Sequence, residues 1–214
     1  MSKIYQTGRE ILLQSNWHDV GHVREALDLA LVLCGAKPAA GVCDDHPITH
    51  QLIELARSSG FLVAYATVPT LPEISSTGGR AIVAVEAEVL IELTAILLNS
   101  DQNLPLSAAQ HERAGLLLGY PPPAACWFAA KLLLPAGHPD WVCTCGLEDW
   151  SPAERRFAFC CHANDPLRSE INRAWSAGLA AAFAAAYGED LIELIPLAET
   201  EHFEVIQTSF GLPI

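Results

Sequence analysis

The sequence predicts an α/β fold, with mixed α+β as its near alternative: a small β-sheet with covering helices and a helical C-terminal half. Three observations predict it. Short apolar runs at 39–43, 61–68 and 81–85 have strand length and alternate with longer segments of helical periodicity. Beyond residue 100 the apolar residues recur mainly at spacings of three and four. Glycines and prolines stand at the joints between these segments.

The elements follow in order. Val23, Leu27, Ala30, Leu31 and Cys34 form one helical stripe, and Gly35 ends that helix. Ala39-Ala40-Gly41-Val42-Cys43 reads as a buried strand. Pro47 marks the next helix start, with Ile48, Leu52, Leu55 and Ala56 on its inner face and Gly60 at its stop. Residues 61–68 form a second strand and 81–85 a third. Between them, 69–79 is a mobile loop hinged at Gly78-Gly79 beside a cleft. Residues 87–98 read as a helix. Helices over 106–118 and 124–134 meet at Pro121-Pro122-Pro123, and 137–152 is irregular. A long helix over 169–187 carries the ridge Ile171, Trp175, Leu179, Phe183 and Tyr187. Residues 191–197 and 203–208 read as closing strands. The polar bridge at 99–103 is too short for a flexible linker. The expectation is one domain over residues 1–214, with sub-halves of about 1–100 and 101–214.

Composition narrows the class. Lys plus Arg number 12 against 25 Asp plus Glu, a formal net charge of −13, which repels a phosphate backbone and excludes nucleic acid as the main partner. Hydrophobic residues make up 51% of the chain, enough for a sizeable core. Residues 1–15 lack the apolar core and cleavage site of a signal peptide, and the apolar stretch 114–137 is interrupted by three prolines, so the expectation is a cytoplasmic protein with no membrane partner. Seven cysteines without an export signal read as reduced thiols rather than a disulfide frame.

Cys143, Cys145, Cys160, Cys161 and His162 gather soft-metal ligands within twenty positions. A workable set is Cys143, Cys145, Cys161 (or Cys160) and His162, with zinc as the ion. One residue between Cys143 and Cys145, where a zinc knuckle has two, leaves buried structural thiols and a redox pair as competing readings. A second candidate is Cys43-Asp44-Asp45-His46-Pro47-Ile48-Thr49-His50, where a strand hands over to a helix. Asp45, His46 and His50 there suit a metal site or an acid/base pair at the rim of a pocket, while Asp44 or Asp45 also suits simple capping of the helix. His18 and His22 lie four apart, as ligands on one helix face would, with Asp19 as a cap. His111, Arg113, Tyr120 and Cys126 are the polar groups and thiol around the proline corner, a pattern that fits a small-molecule pocket.

The run Gly115-Leu116-Leu117-Leu118-Gly119-Tyr120-Pro121, together with Gly35-Ala36-Lys37-Pro38-Ala39-Ala40, resembles a bacterial and archaeal family of domains of unknown function marked by Gly-x-Leu-Leu-Gly-Tyr-Pro. The resemblance covers about a third of the chain and implies a Cys-Cys pair shortly after Tyr-Pro. Here Pro123-Ala124 and then Cys126 follow instead.

These features point to a small-molecule enzyme, of the kind found in specialised metabolism and biosynthesis, with catalytic candidates His46, Asp45, His50, His111, Tyr120 and Cys126. No dinucleotide, phosphate-loop, nucleophile-elbow or His-Glu-x-x-His motif is present, so neither the cofactor nor the reaction type is legible. The rival reading is a non-catalytic binding, scaffold or metal-binding protein. In it the small-residue face Gly178, Ala182 and Ala186 would serve a homodimer.

Overall fold

In the computed structural model of the protein, residues 2–17, 20–66, 80–98, 106–131, 149–158 and 166–197 are described. Three strands form an antiparallel sheet in the order β1-β3-β2: β1 (Ala39–Cys43), β2 (Leu62–Ala66) and β3 (Arg80–Ala84). Ile82 of the central strand pairs with Gly41 on one side and Ala64 on the other. Because β1 and β2 both run against β3, they run parallel to each other, and their carboxyl ends lie at the same edge of the sheet. The fold is therefore mixed α+β, not a parallel α/β sheet.

Contacts between Cα atoms divide the chain into two compact units. The first is Met1–Leu106 with Leu117–Gly119, and the second is Ser107–Leu116 with Tyr120–Ile214.

In the first unit, α2 (Val20–Leu33), α3 (Pro47–Ser58) and α4 (Ala87–Leu93) pack on the sheet, α1 (Lys3–Leu12) packs on α2 and α3, and α4 runs on into one π-helical turn, Thr94–Leu98. Ala81 to Ala84 are buried without a break, so both faces of the central strand are covered. Leu27, Leu31, Leu52 and Ile53 are fully buried; each such side chain contributes about 1.5–3 kcal/mol by leaving water. The stops of α2 and α3 share one geometry. Gly35 and Gly60 take φ of 77° and 92°, and the following residue donates back five positions, Ala36 N–H to Leu31 and Phe61 N–H to Ala56. The segment after Gly35 is held twice more. Lys37, 1% exposed, places Nζ 2.6 Å from Asp28 Oδ1, and the Pro38 carbonyl accepts from Val85 N–H at 3.0 Å.

The sequence reading contains no helix over Lys3–Leu12. Its apolar residues are few, and burial of Gly8, Ile11 and Leu12 against α2 and α3 stabilises it.

The regular elements among the second unit's described residues are helices: α5 (Ala108–Leu117, which ends in the first unit), α6 (Pro122–Lys131), α7 (Pro152–Arg156), α8 (Pro166–Tyr187) and α9 (Glu189–Leu194). Gly115 lets α5 and α6 close together, since a Cβ there would lie 3.0 Å from Ala125 Cβ. The prolines stand at the start of α6, with Pro122 as its first residue, rather than at a separate hinge. Along the α8 ridge Ile171 is exposed, while Leu179, Phe183 and Tyr187 are buried, and the Phe183 ring packs between Phe157 (5.4 Å) and Tyr187 (4.9 Å). Ser151 and Glu154 form a capping box at the start of α7, and Arg173 of α8 donates to Glu154 at 3.0 Å.

Residues 191–197, expected as a strand, begin instead in helix α9. Gly188 at the N-cap and Glu189-Asp190 in the first turn favour a helix, and Leu191, Ile192 and Ile195 then share a buried face. Arg156 of α7 donates to the Ile195 and Glu193 carbonyls at the end of this helix. The other expected closing strand, 203–208, lies outside the described residues. Among the described residues no helix is long and apolar enough to cross a membrane.

Candidate functional site

The polar junction between β1 and α3 is built by two elements of the first unit. Strand β1 delivers Asp44 and Asp45 at its carboxyl end, and Pro47 starts α3 two residues later. Helix α2 supplies His22 and Glu25, three residues apart and so on one face. The two elements are stitched together where the Cys43 N–H donates to Glu25 Oε1 at 3.1 Å.

The cap of α3 is His46, not Asp44 or Asp45. His46 has extended φ and ψ of −112° and 136°, and its Nδ1 accepts from Ile48 N–H at 3.3 Å. Both aspartates are thereby released from capping. Asp44 pairs with His50, Oδ1 to Nδ1 at 2.9 Å; Asp44 is the more shielded partner and His50 the exposed one. Asp45 Oδ1 lies 3.9 Å from His22 Nδ1, and the His22 and His46 rings stack with centroids 4.4 Å apart and planes 21° apart. His22 thus joins Asp45 to His46, while His50 is paired with Asp44.

One oxygen of Glu25 is distinctive. Oε1 accepts from Cys43, but Oε2 is buried and has no hydrogen-bond partner. Burial pushes the Glu25 carboxyl above its ordinary range; the Cys43 N–H works against this and the Asp45 charge adds to it. Burial, reinforced by the Glu25 and Asp45 charges, pushes the Cys43 thiol up to about 12, so it is a neutral wall residue near pH 7 rather than a thiolate. His22, Glu25 and Asp45 each offer a ligand atom, all within 4.8 Å of one another.

The remaining candidates stand in the second unit. His111 on α5 is half-buried with its ring edge toward Phe128 at 6.2 Å, and burial lowers its pKa. Tyr120 packs against Trp175 at 5.3 Å, and Cys126 is exposed on α6, as is Arg113 on α5. Cys143, Cys145, Cys160, Cys161 and His162 lie outside the described residues, as do His18 and the 69–79 loop.

Sequence reading reached Asp45, His46 and His50 through the strand-to-helix signal, and His22 only as a partner for His18. It missed Glu25. The available signal was the His-x-x-Glu spacing of His22 and Glu25 on a helix whose other face is apolar. No protein-family model matches this chain, and no curated protein or solved structure is similar to it.

Proposed function

We propose that the protein is a small-molecule enzyme that moves protons at the β1–α3 junction. The observation that carries the reading is that two histidines there use Nδ1 in opposite ways, His50 against the Asp44 carboxylate and His46 as acceptor from Ile48 N–H. A carboxylate accepts hydrogen bonds, so Asp44 is matched by Nδ1–H on His50, which leaves Nε2 as the ring atom that can exchange a proton with a substrate. His46 accepts at Nδ1 from Ile48 N–H, which places its ring proton on Nε2 as a donor. A base and a donor of this kind, anchored to one helix start, suit proton abstraction from a polar substrate with stabilisation of the charge that develops.

The test is to incubate the purified protein with a pool of polar metabolites and follow their depletion by mass spectrometry. At least one compound is expected to be consumed, with a loss of about 100-fold or more in His50→Ala and in Asp44→Asn. No consumption beyond heat-denatured protein, or full turnover in both variants, overturns the reading.

A further inference from the structure

We propose that His22, Glu25 and Asp45 form a binding site for a divalent first-row transition metal ion, with one imidazole and two carboxylate ligands. The proposal deepens the reading of the same junction as a catalytic site and rests on it for its catalytic meaning, although its test needs no turnover.

The geometry is close to what an ion requires. Ligands at about 2.0–2.2 Å from a four-coordinate ion stand roughly 3.4 Å apart. His22 Nδ1 and Asp45 Oδ1 are 3.9 Å apart, and all three ligand atoms lie within 4.8 Å of one another. Shifts of about 1 Å would close the set to coordination distance. Two ligands share one face of α2, and the third stands on the turn fixed by Pro47.

The buried oxygen Glu25 Oε2 points independently to a ligand. It has been taken out of water and receives no hydrogen bond, while the other oxygen is already used by Cys43 N–H. A buried carboxylate oxygen in that position is satisfied by a cation, by a proton, by a water or by the neighbouring Cys43 thiol. The Asp45 carboxylate and the His22 imidazole beside it favour the cation, because an imidazole nitrogen and two carboxylates match the donor set of zinc, iron(II) and manganese(II). His22 and Asp45 are about one third exposed, which leaves room for water or substrate oxygen in the remaining coordination positions. When bound, the ion would acidify that water or polarise a substrate oxygen. The stacked His46 ring walls the side of His22 and restricts how that imidazole turns.

Titration of the metal-free protein with zinc and, separately, with manganese, followed by calorimetry and by metal analysis after gel filtration, tests the site. The background is Cys143→Ser/Cys145→Ser/Cys160→Ser/Cys161→Ser, which removes every thiol of the competing cysteine–histidine set. One equivalent is expected to bind in that background. Glu25→Gln, which keeps the acceptor for Cys43 N–H, and Asp45→Asn should each weaken it at least tenfold. Failure of that background to bind either ion, or unchanged binding in both variants, overturns the proposal. A bound ion without turnover of any compound sinks the enzyme reading and leaves the metal site standing. Turnover in a protein that binds no ion does the reverse.

Discussion

Two stretches of the first unit stand in contrast: the β1–α3 junction and the contact between Gly119 and Pro38. The second joins the two segments that carry the sequence resemblance. A Cβ on Gly119 would lie 2.5 Å from Pro38 Cδ, and Gly119 has a φ of 84° at the end of α5, where Tyr120 N–H donates back to Gly115. Beside it Lys37 is buried and paired with Asp28. Every unusual residue there is accounted for by backbone geometry or by a matched charge. At the junction the reverse holds. Charged and ionisable groups converge, and one buried oxygen is left without a donor. A motif that looks family-like can thus be scaffold, and a site is better marked by polar groups that the fold gathers without satisfying.

The contrast predicts opposite responses to substitution. The largest effect belongs to the scaffold. Asp28→Ala removes the carboxylate that lies 2.6 Å from the buried Lys37 ammonium and is expected to cost about 3–5 kcal/mol in urea unfolding. A loss below about 1 kcal/mol would mean that Lys37 finds water readily. Next, Gly119→Ala combines left-handed backbone strain with the clash on Pro38, for an expected loss of about 2–4 kcal/mol. Gly35→Ala has the strain alone, because nothing lies within 4 Å of its added Cβ, and is expected to lose about 1–2 kcal/mol. Equal losses at the two glycines would remove the Pro38 contact from the account.

At the junction, Glu25→Gln in chelating buffer should match or exceed the parent's stability, since it removes a buried charge that lacks a donor on one oxygen. A drop of more than about 1 kcal/mol would make Glu25 another scaffold residue and erase the contrast.

The smallest effect lies in the second unit. Burial pushes Glu154 upward, but hydrogen bonds from Arg173 and Ser151 outweigh it and hold the carboxyl below its ordinary value of 4.5. A depressed carboxyl stabilises the fold above 4.5, and that contribution is lost as pH falls through the lower folded value. Glu154→Gln should therefore flatten the acid limb of the stability profile while leaving its slope above pH 6 unchanged. An identical acid limb in the variant would show that the capping box and the Arg173 pair contribute nothing.

Most of the architecture was legible because local chemistry decides it. Pro47 and Gly60 bracket α3, Gly35 ends α2, and Ala39–Cys43 has the length and composition of a strand, so these bounds follow from φ preferences and short-range patterning. Local chemistry misled at 191–197. There Leu191, Ile192, Leu194 and Ile195 make a short apolar run of strand length, but Gly188 and the Arg156 bonds to the last carbonyls select a helix.

The candidate site divides along the same line. Asp45, His46 and His50 stand within six residues of one turn, and the turn signal alone marks them. Which aspartate is free, which ring caps α3, and the arrival of His22 and Glu25 from a helix some twenty residues earlier were decided only by the tertiary structure. Helix α2 packs on β1, and the hydrogen bond from Cys43 N–H to Glu25 ties it to the end of the strand. Patterning specifies which face of an element is buried, but contacts between the remaining polar faces depend on how elements cross, and no local sequence period encodes that.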